Sequence, residues 1–268
     1  MAIACQVNRI QTNILGFSWN KFPTTLTRRR FASAAKTGVI LNLRDSLSFE
    51  RARMISNVAN VRHTSDIVFG WRSIDSNSSS GLVLKPAGNQ ILLVGNPGFT
   101  MMGADYSVDS LAPLFEALGS DSSIILVPSV IRPKQDDQLQ QLRIQEHFCQ
   151  KFNVRQLKTI PSTADYLELV RSTNLVVTFR MHPAILSLKV GTPVVMFDYQ
   201  DKMAGLASDL EIQDFCVTSL DWIADGAKAI ESALMQSQEL RSRIEKLMPS
   251  VLLRSESNWD LEFHGHLP

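Results

Sequence analysis

The feature that most constrains the fold of this chain is an alternation, sustained from residue 90 to residue 247, of short apolar runs with longer amphipathic stretches. The apolar runs are Gln90 to Val94, Ser123 to Val127, Val154 to Leu157, Leu175 to Phe179, Pro193 to Phe197 and Asp214 to Val217. Between and after them, helical spacing runs through Ser107 to Leu118, Asp136 to Phe152, Ala164 to Ser172, Pro183 to Val190, Met203 to Ser208 and Asp221 to Leu247. Short runs without polar alternation suit strands buried on both faces, and intervening helices are the crossovers that parallel strands require. The expectation is an α/β protein built on a doubly wound, Rossmann-like parallel sheet.

The same rhythm is fainter at the amino end. Thr12 to Phe17 reads as a strand, Thr24 to Ala35 as a helix behind Pro23, Gly38 to Leu43 as a strand and Ser46 to Met54 as a helix capped by Asp45 or Ser46. Asp66 to Phe69 reads as a closing strand. From Trp71 to Asn89 the composition turns to Ser, Asn, Gly and Pro without periodicity, as a linker does. The expected organisation is a partial amino-terminal domain over 1–85, a carboxy-terminal Rossmann-like domain over 86–247 and a tail over 248–268.

Composition narrows the function classes. A hydrophobic share of 44% with 20% charged residues is that of a globular protein with a real core. No apolar run approaches the roughly 20 residues that cross a bilayer, so no membrane span is expected. The net charge is +1, but seven basic residues precede the first acid, Asp45, and the rest of the chain carries 20 basic and 26 acidic residues. That basic start fits either a transit segment or the first strand and helix of the fold. Arg28 to Arg30 read as a solvated helix face, and the near-neutral total points away from nucleic acid. Cys5, Cys149 and Cys216 are odd in number and widely spaced, which fits neither a disulfide framework nor a metal site. The sequence fixes neither oligomeric state nor compartment, with the cytoplasm and an organelle or secretory lumen both open.

In open parallel sheets, ligands bind beyond the carboxyl ends of the strands. Leu175 to Phe179 empties into Arg180, Met181, His182 and Pro183, and Pro suits the first turn of a helix. Arg180 and His182 are therefore expected to flank a helix amino terminus, where free N–H groups attract a phosphate or carboxylate. The next run, Pro193 to Phe197, leads to Asp198 and Lys202, bringing another cation to the same rim. Arg44 follows Gly38 to Leu43 and precedes Asp45 and Ser48, so it is either a further anion ligand or one half of an Arg–Asp pair holding a turn. Gly95-Asn-Pro-Gly98 with Gly103 lacks the Lys-Ser/Thr ending of a P-loop, and Gly16-Phe-Ser18 lacks the trailing glycine of a nucleophile elbow. His264 and His266 lie at the terminus, and Asp136 with Asp137 reads as an ordinary helix start.

These residues together resemble a known family. Ala164 to Val217, with its strand, Arg180-x-His182, helix, Gly191-x-Pro193-Val194-Val195 strand and following Lys202, is similar to the characteristic segment of the polysaccharide pyruvyl transferases. Arg44-Asp45-Ser46-Leu47-Ser48 resembles that family's Arg-Asp-x-x-Ser element, and Ser65-Asp66-Ile67-Val68-Phe69 its Pro-Asp-x-x-Phe element. Pro128 and the Asp136-Asp137 pair fall where such proteins carry a strand end and an acidic turn, and the likeness covers roughly residues 12 to 245.

The resemblance implies a fold of the GT-B kind, two Rossmann-like domains about a cleft, here with a truncated amino-terminal domain because the family's glycine-rich first segment has no counterpart ahead of Arg44. It also implies transfer of a pyruvyl group from phosphoenolpyruvate to two sugar hydroxyls, giving a cyclic ketal without a further cofactor. Arg44, His182 and Lys202 would bind the donor with Arg180 and Ser48 in support, and His182 with Arg180 would be the catalytic pair. Two or three fixed cations suit a donor carrying both a carboxylate and a phosphate, and an imidazole exchanges protons near neutral pH. His182 would either protonate the methylene carbon or clamp the donor as a cation; Asp45 and Asp198 are the candidate bases. Two other readings are a GT-B glycosyltransferase using a nucleotide sugar, with Asp198 or Asp201 on the ribose, and a non-catalytic anion-binding remnant.

Overall fold

A computed structural model describes residues 12–71, 89–95, 107–132, 135–199 and 201–260. Residues 72–88 of the expected linker, Gly98, Gly103, Cys5, His264 and His266 lie outside the described residues. The described residues up to Trp71 and from Leu247 onward form one compact unit, and those between form a second.

The first unit is built from β1 (Asn13–Phe17), α1 (Thr25–Lys36), β2 (Ile40–Leu43), α2 (Ser46–Arg53), β3 (Val61–His63) and a helical turn, α3 (Ile67–Gly70). The three strands are parallel in the order β1-β2-β3, with Ile14 opposite Leu41 and Leu41 opposite Val61. Thr24 and Asp45 cap α1 and α2 through their side-chain oxygens, which accept from Thr27 N and Ser48 N. The core gathers Trp19, Phe31, Val39, Leu41, Leu43 and Val61, with the Trp19 and Phe31 ring centroids 4.4 Å apart.

One element of this unit differs from expectation. Asp66 to Phe69 is not a strand; β3 lies earlier, and Asp66 caps the turn α3 by accepting from Val68 N at 3.0 Å. A run of three apolar residues has no readable period, so a cap at its head decides between helix and strand.

The second unit runs through β4 (Gln90–Val94), a 3₁₀ turn (Val108–Leu111), α4 (Ala112–Leu118), β5 (Ser123–Val127), the two-residue strands β6 (Ile131–Arg132) and β7 (Gln135–Asp136), and α5 (Asp137–Phe148). It continues through β8 (Asn153–Gln156), α6 (Thr163–Arg171), β9 (Leu175–Thr178), α7 (Met181–Lys189), β10 (Val194–Phe197), α8 (Met203–Asp209), β11 (Cys216–Val217) and α9 (Trp222–Met235). The six long-sheet strands are all parallel, in the order β11-β10-β9-β4-β5-β8. Every residue of β4, β9 and β10 is buried, as expected of central strands covered on both faces. The chain starts at β4, builds outward to β8, then crosses back to β9 and builds the other way. The reversal between β4 and β9 is the place where such sheets open a crevice at their carboxyl edge.

Two further boundaries differ from the sequence reading. The helix expected over Asp221 to Leu247 is two helices, α9 and α10 (Ser237–Glu256), separated at Gln236. Residues 248–256, expected as tail, are therefore helical. Pro183 stands third in α7, not first; the first turn has no intrahelical acceptor for its N–H groups, so proline is tolerated at either place.

Candidate functional site

The exit of β9 is anchored from below. Phe179 is fully buried, stacks on Phe197 with centroids 4.4 Å apart and meets Trp222 edge-on at 6.0 Å. The next residue, Arg180, has extended backbone and takes the cap position of α7, and its N–H donates to Thr178 Oγ1 at 3.0 Å. No side chain caps α7, so the amides at its start keep their capacity for an anion. His182 is exposed on this first turn.

Beside that helix start lies a cavity of about 410 Å³, a size common to small-molecule sites. Val94 and Val127 at the ends of β4 and β5 form part of its wall, with Pro128, Ser129 and Val130 beyond them. Ile160, Pro161, Thr163 and Tyr166 close it on the α6 side, and Arg180, Met181, His182, Pro183 and Leu186 on the α7 side. A mainly apolar wall with an arginine, a histidine and a free helix start admits a small organic anion. Tyr166 joins the two helices, its hydroxyl 3.0 Å from Ser187 Oγ and donating to Pro183 O at 3.2 Å. Burial pushes that phenol well up, so it stays neutral throughout the working range of an enzyme.

Arg180 does not stand free. Its NH2 donates to Asp137 Oδ1 at 3.2 Å, and the carboxylate of Asp137 is almost completely buried. Asp136, its neighbour, is the helix cap, accepting from Gln138 N. The acidic pair thus divides between a cap and a partner for Arg180. In the sequence both read as an ordinary helix start; nothing local distinguishes them, because the contact joins residues 43 positions apart.

Lys202 follows β10, the neighbour of β9, at the same carboxyl edge of the sheet, and its side chain is exposed. It is not among the residues that line the cavity. Asp198 is 5% exposed and caps α8, with Oδ1 accepting from Lys202 N at 3.0 Å and Oδ2 from Met203 N and Ala204 N at 2.7 and 2.8 Å. A carboxylate spending both oxygens on three amides suits a helix cap better than a base or a ribose acceptor. Burial, with the nearby charges of Asp198 and Asp201 adding, pushes the Cys216 thiol up to about 12.

Arg44 and Ser48 belong to the first unit. Arg44 donates from Nε to Ser18 Oγ at 2.7 Å and from NH1 to Asp66 Oδ2 at 2.8 Å, an Arg–Asp pair made with Asp66 and not with the adjacent Asp45. Asp45 accepts from Ser48 N, Ser48 Oγ and Ser18 Oγ. Ser48, expected at the substrate, is 1% exposed and also accepts from Trp19 N at 2.8 Å. Of the expected ligands, then, the structure brings Arg180 and His182 to one cavity and sets Lys202 on the adjoining strand exit.

Among the described residues no group of three or more His, Cys, Asp or Glu side chains could hold a metal ion, and no helix is long and apolar enough to cross a membrane.

A Rossmann-ordered parallel sheet with a ligand-sized cavity at its switch point defines a doubly wound α/β protein. Solved structures agree on the fold. The chain is 13% identical to a UDP-forming α,α-trehalose-phosphate synthase from Burkholderia xenovorans, at TM-score 0.58, covering 96% of this chain and 69% of that one. It is 10% identical to UDP-GlcNAc 2-epimerase from Methanocaldococcus jannaschii, at TM-score 0.57, covering 87% of this chain and 65% of that one. The chain thus spans about two thirds of the length of these neighbours. No curated protein matches it. The polysaccharide pyruvyl transferase family model matches residues 1–201, and the chain belongs to that family.

Proposed function

We propose that this protein is a transferase that moves the pyruvyl group of phosphoenolpyruvate onto two hydroxyls of a sugar in a polysaccharide or glycan. In that reaction C2 of the donor gains two C–O bonds to the sugar and loses its C–O bond to phosphate, which departs. Of the two hydroxyl protons, one is balanced by the proton delivered to C3, which becomes a methyl group, and the other leaves with phosphate.

The observation that carries this reading is the pairing of Arg180 and His182 about the uncapped start of α7, on a cavity at the switch point of the sheet, in a member of this family. A guanidinium and a helix start favour the two anionic groups of the donor and the charge that grows on the departing phosphate. His182, on the first turn and exposed, is the proton donor or a cationic clamp. Lys202 from the next strand exit is the further donor ligand in this reading, and Arg44, held by Asp66 and Ser18 within the first unit, is left out of it.

The test is to incubate the protein with phosphoenolpyruvate and galactose- or mannose-containing acceptors and to measure phosphate release together with thermal stabilisation by the donor. Acceptor-dependent release is expected. Failure of phosphoenolpyruvate either to stabilise the protein or to be consumed overturns the reading. A second reading, an anion-binding protein without turnover, draws on the commitment of Asp45 and Asp198 to helix caps. It is met by stabilisation without release.

A further inference from the structure

We infer that Asp137 is a positioning residue for Arg180, and that Gly95 is the space that lets the pair form. The inference rests on the reading of the cavity as the donor site and adds two residues that never need to touch the donor.

Asp137 is the first residue of α5, and its carboxylate is 2% exposed. An ionised carboxylate so deep is tolerated only when its oxygens are well supplied with donors. Here Oδ2 accepts from Ser129 N at 3.0 Å, Ser129 Oγ at 3.0 Å and Val130 N at 2.8 Å. Oδ1 accepts from Arg180 NH2 at 3.2 Å. Ser129 and Val130 themselves line the cavity, so one carboxylate ties the loop after β5 to the arginine after β9. A flexible side chain is thereby held in one position, with its remaining donors directed by the fork of the guanidinium.

Gly95 follows β4 with φ +89°, a conformation that L side chains rarely adopt. A Cβ placed there would stand 3.1 Å from Arg180 Cγ, 3.4 Å from Nε and 3.7 Å from Ser129 Oγ. The glycine therefore keeps open the slot in which Arg180 lies. Arg180 Nε is buried and has no hydrogen-bond partner among the described residues, so the arginine is fixed through one nitrogen while retaining donor capacity at another.

The experiment is a double-variant comparison in the full chain. The dissociation constant of phosphoenolpyruvate is measured calorimetrically for the wild type, Asp137→Asn, Arg180→Gln and the pair. The Nε–H resonance of Arg180, assigned by its loss in Arg180→Gln, is followed by NMR in the absence of donor. Asp137→Asn is expected to weaken donor binding by roughly tenfold or more, to add nothing in the Arg180→Gln background, and to shift or broaden the Arg180 signal. Gly95→Ala, which leaves Asp137 untouched, is expected to do the same and serves if Asp137→Asn does not fold. Full donor affinity in a folded variant, or penalties that simply add, overturns the inference. Should the wild type bind no phosphoenolpyruvate, the donor reading falls by itself, and the NMR signal still decides whether Asp137 fixes Arg180.

Discussion

The guanidinium of Arg44 lies 2.8 Å from the carboxylate of Asp66, so two motif elements 22 residues apart in the chain are bonded directly to one another. The same Asp66 caps α3 through its other oxygen, and its backbone carbonyl accepts from Ser255 Oγ at 2.8 Å. One acidic residue thus joins the β2 exit, a helical turn and α10. Both side chains are largely buried, at 13% and 4% exposure.

Removing that carboxylate leaves Arg44 partly buried with no counter-charge. Asp66→Ala is expected to cost about 3 kcal/mol, most of it from the orphaned charge and the rest from the lost cap. Urea unfolding followed by fluorescence of Trp19, which is buried in the same unit, checks it. A loss below about 0.5 kcal/mol would reduce the pair to an exposed ion pair.

His182 is open to direct replacement because its side chain is exposed and no part of the core depends on it. In the proposed reaction His182→Gln is expected to lower phosphate release by about a hundredfold or more while leaving the melting temperature unchanged. Turnover close to normal removes His182 from the mechanism both as acid and as clamp.

Gly226 lies in α9 where a Cβ would fall 2.5 Å from Phe197 Cε1 and Cζ and 3.0 Å from Leu114 Cδ2. Gly226→Ala is therefore an overpacking change, despite alanine's better helix propensity, and is expected to destabilise by about 1–3 kcal/mol. Phe197 stacks on Phe179, which immediately precedes Arg180, so donor affinity is expected to fall with stability. A Gly226→Ala protein more stable than wild type would contradict the packing described.

The two described cysteines differ in environment, Cys149 being exposed and Cys216 partly buried. With its thiol pushed up to about 12 from an ordinary 9.0, Cys216 stays protonated, and iodoacetamide at pH 8 is expected to label Cys149 first. Because the folded state holds this proton more tightly than the unfolded one, its contribution to stability is complete below pH 9 and declines as the pH rises toward 12. Asp198→Asn removes one of the negative charges that raise the thiol, so Cys216 is expected to label faster in that variant, as peptide mass spectrometry reads directly.

The sequence by itself determined the parallel α/β architecture, because central strands such as Leu175 to Thr178 have to be apolar on both faces, and that pattern is local and legible. It also placed Arg180 and His182 at a strand exit and a helix start, since both follow from chain order alone. Only the tertiary structure decided what holds them. Asp136 and Asp137 have the same chemistry and adjacent positions, yet one caps a helix and the other is bonded to Arg180; that difference depends on β5 and β9 flanking β4 in parallel, which brings the segments after both to one edge of the sheet. At Asp66 the sequence misleads for a different, local reason. A three-residue apolar run carries no period, and the bond that Val68 N donates to the Asp66 carboxylate at its head settles its conformation.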